Sequence, residues 1–204
     1  MIRLVLIGGG GFCSKTSTIL EQESNLKIVG YIDKSISRKL KNEKLEYLGQ
    51  DTDLKHIIKL KNITHFFICI GDPIKRRICY NKYLKSSLSP INIIDKNASI
   101  MTKLMSNGVV AYPNSTVMSN VLIGDGVLIN ANSSIGHDCE IGKFSNISPG
   151  ANIAGNVRIG NETIIGIGAS IRENINIGKN VIIGAGSVVV KDVEDNKVVY
   201  GNPV

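Results

Sequence analysis

At every sixth position from Val117 to Val189, thirteen times without a gap, this chain of 204 residues places Ile or Val. Four residues after each aliphatic runs a second, mostly small series that includes Val121, Ser133, Cys139, Ser145, Ala151, Thr163, Ala169, Val181 and Ser187. A period of six fits neither an amphipathic helix, whose apolar stripe recurs at three and four, nor a half-buried strand, which alternates at two. It fits short strands joined by corners, each strand turning one bulky and one small side chain inward. The strained corner conformations are expected at Asn130, Asn132, Asn156, Asn161, Asn174 and Asn180, and at the glycines that follow the aliphatic at 124, 136, 142, 160, 166, 178 and 184. Stacked edge to edge, such coils make a parallel β-helix. Three hexads close a triangular coil of about eighteen residues, so 105–194 yields roughly five coils, about 24 Å tall at ~4.8 Å per layer. The period does not fix the hand.

The length suits two modest domains, and the N-terminal part carries a different pattern, which places the division at 1–95 and 96–204. Ile2 to Ile7 is a continuous apolar strand that runs into Gly8-Gly9-Gly10-Gly11, after which Ser14 to Gln22 reads as a helix with Ser14 as its N-cap. A strand from Leu26 to Ile32 ends at Asp33. This is a Rossmann-like unit, in which backbone N–H groups at a helix start cradle phosphate and a carboxylate after the second strand meets a ribose or base. Gly8 and Gly10 fit the first two positions of the dinucleotide fingerprint, but Cys13 occupies the third, which disfavours a nicotinamide oxidoreductase. A helix near Thr52–Leu60 and a strand at His65–Ile70 follow. Asp72 then caps a helix that begins at Pro73, so that Gly71, Asp72 and Arg76 also border the crevice. Ile91 to Asp95 is expected to complete the sheet.

Residues 1–95 hold sixteen Lys/Arg against nine Asp/Glu, a net +7, whereas 96–204 carry eight of each. Lys34, Arg38, Lys39, Lys41 and Lys44 crowd one loop of the basic half, either as solvated surface or as an attraction for a phosphorylated small molecule. No stacked aromatics or recognition motif accompany that charge, so nucleic acid is not an expected partner. The four cysteines lack metal-site spacing and the density of a disulfide scaffold; Cys139 falls on an inward position, and Cys13 packs near the glycine loop. No apolar run reaches membrane-span length and no secretory signal opens the chain, so a cytoplasmic protein without membrane insertion or metal is expected. His56 and His65 have no acidic or cysteine partner at useful spacing. The solenoid holds a single histidine, His137, two residues after the inward Ile135 and directly before Asp138.

With these residues in view, the chain resembles bacterial sugar acyltransferases of the sialic-acid O-acetyltransferase and nucleotide-linked amino-sugar N-acetyltransferase type. The segments that carry the likeness are Leu-Ile-Gly-Gly-Gly-Gly at 6–11, Gly-Tyr-Ile-Asp at 30–33, Ile-Gly-Asp at 70–72, Ile-Gly-His-Asp-Cys-Glu-Ile-Gly at 135–142, Ala-Gly-Asn-Val at 154–157 and Tyr-Gly-Asn-Pro at 200–203. The resemblance implies a left-handed β-helix, a homotrimer, acetyl-CoA in the groove between neighbouring solenoids, and a nucleotide-sugar held by the N-terminal domain. His137 matches the family's general base, Asp138 an acidic neighbour that is commonly Glu, and Gly155 a backbone donor near the thioester. Arg172, Lys179 and Lys191 are candidates for the phosphates of CoA. Gly8, Gly10, Gly11, Phe12, Asp33, Gly71 and Asp72 are candidates for the nucleotide-sugar. Many relatives carry His where this chain has Phe12 and again where it has Asn146; Phe12 removes a polar contact to the ligand, and Asn146 hydrogen-bonds but cannot serve as a base.

The implied reaction is acetylation of the amino group of a UDP- or dTDP-4-amino-4,6-dideoxyhexose for surface glycans. O-acetylation of a sialic-acid-like sugar and a non-catalytic, nucleotide-sugar-binding trimeric scaffold are the rival readings.

Overall fold

The computed structural model describes residues 1–21, 25–36, 45–103 and 105–204. The chain divides into two compact units, Met1–Ile93 and Ile94–Val204. Of the basic loop, Arg38, Lys39, Lys41 and Lys44 lie outside the described residues.

The first unit runs β1 (Ile2–Ile7), α1 (Gly11–Leu20), β2 (Leu26–Ile32), β3 (Tyr47–Gly49), α2 (Leu54–Lys61), β4 (His65–Ile68), α3 (Pro73–Tyr83) and β5 (Ser89–Pro90). Its sheet is parallel, in the order β3-β2-β1-β4-β5. The continuous apolar run of β1 suits a central strand covered on both faces, and Leu4, Val5 and Leu6 are fully enclosed. Strand order reverses between β1 and β4, which opens a crevice at the carboxyl ends of the strands.

Three expectations change here. Helix α1 starts at Gly11 with Gly10 as its N-cap, so Ser14 lies inside the helix, where its carbonyl accepts from Ser17 and Thr18 hydroxyls. Gly10 accepts the extended cap conformation, and its carbonyl takes the N–H groups of Cys13 and Ser14, which outweighs the capping preference of serine. That helix ends at Leu20, and Gln22 is outside the described residues. β4 stops at Ile68, and the fifth strand is Ser89–Pro90, with Ile93–Ile94 a separate short strand. Pro90 breaks the apolar pattern expected of a strand but costs nothing at a sheet edge, where its missing N–H has no partner to satisfy.

The second unit is a parallel β-helix of two-residue strands in three sheets. The first sheet holds Leu122–Ile123, Glu140–Ile141, Arg158–Ile159 and Asn176–Ile177; the second includes Val110–Ala111, Leu128–Ile129, Asn146–Ile147, Ile164–Ile165, Ile182–Ile183 and Val198–Val199; the third runs from Ser99–Ile100 to Val188–Val189. Ile135 pairs with Val117 on one side and Ile153 on the other, so each aliphatic stacks on the equivalent residue of the next coil. All thirteen residues of the sixfold series are at most 3% exposed. At about 1.5–3 kcal/mol for each buried aliphatic, this column is the unit's main source of stability.

The corners depart from expectation in a way that bears on the site. Asn132, Asn156, Asn174 and Asn180 adopt positive φ as expected, joined by Asn114, Asn120, Asn196 and also by Asp138, Phe144 and Glu162. Asn130 and Asn161 do not: their side chains bond an adjacent coil, Asn130 Nδ2 donating to the Ile147 carbonyl of the following one at 3.0 Å and Asn161 Oδ1 accepting from the Lys143 N–H of the preceding one at 2.8 Å. Nor do the glycines that follow the aliphatics. They permit close stacking instead; a Cβ on Gly142 would lie 2.5 Å from the Gly160 carbonyl carbon. Among the described residues, no helix is long and apolar enough to cross a membrane.

Candidate active site

Ile135 and Cys139 both point into the solenoid and are fully buried, so the corner between them has to turn its side chains outward. The His137 side chain is accordingly 58% exposed, at the corner that joins the third sheet to the first. Its Nδ1 lies 2.7 Å from Asp138 Oδ2. On the preceding coil, Asn120 Nδ2 donates to Asp138 Oδ1 at 3.1 Å. The bond to His137, and then the one from Asn120, hold the Asp138 carboxyl below the usual carboxylate range. A carboxylate at Nδ1 keeps a proton there and leaves the Nε2 lone pair free to accept one.

The ring rests on the next coil. A Cβ on Gly155 would stand 2.7 Å from both Cε1 and Nε2 of His137, so only glycine lets the imidazole lie where it does. The two coils are locked by Asn156 N–H donating to the His137 carbonyl at 2.9 Å and by Cys139 Sγ reaching the Ala154 carbonyl at 3.1 Å. Burial raises the Cys139 thiol, which marks it as packing and not as a nucleophile. The Gly155 N–H has no acceptor among the described residues. A proton acceptor and a fixed backbone donor therefore stand side by side, the pairing that attack on a carbonyl requires.

Other solenoid residues divide between this corner and the rest. Arg172 and Lys191 follow strands of the third sheet, on the side of His137, exposed and without an ion pair among the described residues. Lys179 lies at the next corner, 3.6 Å from Asp195. It borders a groove of about 600 Å³ in which Lys143 and Arg158 are likewise paired, with Asp125 and Glu140. Asn146 is on the second sheet, the face opposite the His137 corner, and a single chain does not bring the two together.

In the first unit, a crevice of about 420 Å³ opens at the strand ends. Gly8 and Asp33 line it as expected, with Ile7, Ile32, Ile70 and Ile78 as apolar wall and Lys34, Gln50, Asp51, Thr52, Lys75, Cys79 and Lys82 around them. Asp33 accepts from the N–H groups of Gly9 at 2.7 Å and Lys34 at 2.6 Å, tying the glycine loop to the end of β2. Burial pushes the Asp51 carboxyl up, but hydrogen bonds from Lys82 at 2.6 Å and from Tyr83 outweigh it and hold the group below its usual range. Burial pushes the Cys79 thiol up to about 12, so it stays protonated.

Gly10, Gly11 and Phe12 stand at the start of α1 outside this lining, with Phe12 edge-on to Phe67 at 6.2 Å between ring centres. Gly71 and Asp72 are outside it too; Asp72 caps α3 by accepting the Lys75 N–H at 2.8 Å. Arg76, expected to border the crevice, is buried outside its lining and donates to the carbonyls of Ile70 at 3.0 Å and Gly71 at 2.8 Å. His56 is exposed on α2, and His65 Nδ1 meets Thr64 Oγ1 at 2.8 Å.

Sequence reasoning passed over Asn120, the turn at Gln50, Asp51 and Thr52, and one face of α3. Lys75, Ile78, Cys79 and Lys82 recur at helical spacing, a signal present in the sequence but indistinguishable there from ordinary amphipathicity. Asn120 precedes Asp138 by one coil, and the repeat itself could have found it.

Comparison with known families matches residues 3–83 to the PglD N-terminal domain and residues 120–155 and 156–191 to the bacterial transferase hexapeptide repeat. Among solved structures, a mutant of perosamine N-acetyltransferase from Caulobacter crescentus, in complex with CoA and GDP-perosamine, is 26% identical at a TM-score of 0.90, over 97% of this chain and 93% of that one. The acetyltransferase domain of PglB from Neisseria gonorrhoeae FA1090, in complex with acetyl coenzyme A, is 26% identical at 0.91, over 98% and 97%. WeeI from Acinetobacter baumannii AYE is 25% identical at 0.86, over 100% and 98%. Comparison with curated protein sequences returns no match. The likeness spans both units, and the fold is a Rossmann-like unit followed by a left-handed parallel β-helix.

Proposed function

Because the chain belongs to the hexapeptide-repeat acetyltransferases with a PglD-type N-terminal domain, we propose that it transfers the acetyl group of acetyl-CoA to the amino group of a nucleotide-linked amino-dideoxy sugar. The observation that carries this reading is the juxtaposition of His137 Nε2 with Gly155 on a rigid corner, in a chain similar over nearly its whole length to enzymes whose names state sugar N-acetyl transfer.

The chain's own groups suffice for the chemistry. As the amine nitrogen bonds to the thioester carbonyl carbon it becomes cationic, and His137 Nε2 takes the proton it must lose. Asp138 faces the positive charge that develops on the imidazole. The Gly155 N–H is offered to the oxygen that becomes negative. When the carbon–sulfur bond breaks, His137 returns its proton to the departing thiolate, and no covalent intermediate on the enzyme is needed. Arg172 and Lys191 fit the phosphates of CoA better than Lys179, whose charge Asp195 already answers. Asn146, on the opposite face of the coil, meets a thioester held at His137 only if it comes from another copy, which supports a homotrimer with acetyl-CoA between solenoids. The crevice beside Asp33 takes the nucleotide, with Gly8, where the glycine run leaves β1, in its wall.

The test is to incubate the protein with acetyl-CoA and a panel of UDP-, dTDP- and GDP-linked amino sugars, following thiol release and product mass. One acetyl gained on nitrogen is the expected result. Thiol release only with a free nine-carbon sugar supports O-acetylation instead, and no release with any acceptor supports a binding scaffold.

A further inference from the structure

Resting on that reading, we propose that Asn120 is a positioning residue for the base: from one coil away it fixes the rotamer of Asp138, and through Asp138 the tautomer and plane of the His137 ring. Asn120 and Asp138 occupy equivalent corner positions with φ of 59° and 58°. The left-handed conformation aims both side chains along the column, where stacked coils bring an amide donor to the carboxylate. Asn120 Nδ2 donates to Asp138 Oδ1 at 3.1 Å, which turns Oδ2 to His137 Nδ1 at 2.7 Å. The Asp138 and His137 side chains are 45% and 58% exposed, so water competes for each contact and one hydrogen bond alone leaves the carboxylate free to swing. The same stacking recurs as Asn180 Nδ2 to Asn196 Oδ1 at 3.0 Å, where it only ties coils together. At 138 the acceptor is a carboxylate that also holds the imidazole, and the tie acquires a chemical consequence. The other charges near the pair are Arg158, across a hollow of about 310 Å³ and held by Glu140 at 3.2 Å, and Glu173, two coils further along this side.

Two substitutions separate this role from a structural one. Asn120→Gly keeps a residue at ease with positive φ and deletes only the amide; Asn120→Asp keeps the shape but turns a carboxylate toward Asp138. With only three histidines in the chain, the His137 ring can be followed by ¹⁵N NMR independently of activity. In Asn120→Gly, kcat should fall about fivefold with both KM values within twofold, and the Nδ1-protonated signature of His137 should weaken. In Asn120→Asp, the added negative charge favours imidazolium, and the His137 titration midpoint and the acid limb of kcat/KM should both rise by about half a unit. Unchanged kcat and unchanged ring resonances in Asn120→Gly overturn the proposal. If that variant melts early, Asn120→Asp decides, and a midpoint that does not move overturns it. His137→Asn is the control: full activity there sinks the acetyltransferase mechanism, while the NMR arms still report on the contact itself.

Discussion

In the solenoid every packing contact is used again one coil later, whereas in the N-terminal unit each is used once. Ile135 sits between Val117 and Ile153 just as Ile153 sits between Ile135 and Ile171. Leu4, Phe66 and Tyr83, by contrast, each fill a different space. The repeat supplies a background against which departures stand out. An aspartate in a column of asparagines at 120, 156 and 174, directly after the solenoid's single histidine, is a break in a pattern that packing alone would continue. The N-terminal unit has no such background, and its lining residues look like any other helix face.

The sharpest way to break this contrast is at the core. Ile147→Ala leaves a cavity that the coils on either side, held in register by their ladders, cannot close, and should lower stability by about 2–5 kcal/mol in chemical denaturation. Ile57, 5% exposed and on the single face that α2 packs, should lose less when truncated to Ala; an equal or larger loss there removes the distinction in rigidity. Next in size, Gly155→Ala drives a methyl group into the imidazole and should reduce kcat by about 10²-fold without changing the melting temperature, whereas a normal kcat would show that the ring has another seat. The smallest effect belongs to the crevice. Lys75→Ala with Lys82→Ala should weaken nucleotide binding about fivefold in calorimetry, in line with partly exposed charge contacts, and leave the KM for acetyl-CoA alone. Unchanged nucleotide affinity would detach that face of α3 from the ligand.

The same contrast explains what could be read in advance. The coil, its inward columns and the exposure of His137 follow from periodicity, since Ile135 and Cys139 can be buried only if the corner between them faces out. Which asparagines take the left-handed corner did not follow, because Asn130 and Asn161 differ from Asn132 and Asn156 only in register within the hexad. The hand of the coil is likewise absent from a period of six. In the first unit the β1–glycine–α1 unit was legible, but Ser14 proved to be helix interior because a preference worth about 1 kcal/mol yields to where the backbone of the glycine run turns. Strand Ser89–Pro90 was missed because proline argues against strand everywhere except at an edge. Lys75 and Lys82 became visible only once the fold set that face of α3 and the end of β2 around one crevice.

One measurement bears most directly on the assignment of His137 as the base: single-turnover acetyl transfer to the accepted amino sugar, across pH, for the native chain and His137→Asn. Asp138, held below the usual carboxylate range, stays ionised across the assay range, so the native rate should fall on the acid side with the slope of the one proton that the base takes up. The variant should lose about 10²–10⁴ in rate together with that limb, with both substrates still bound. A His137→Asn enzyme that turned over at the native rate, or kept the same acid limb, would contradict the account.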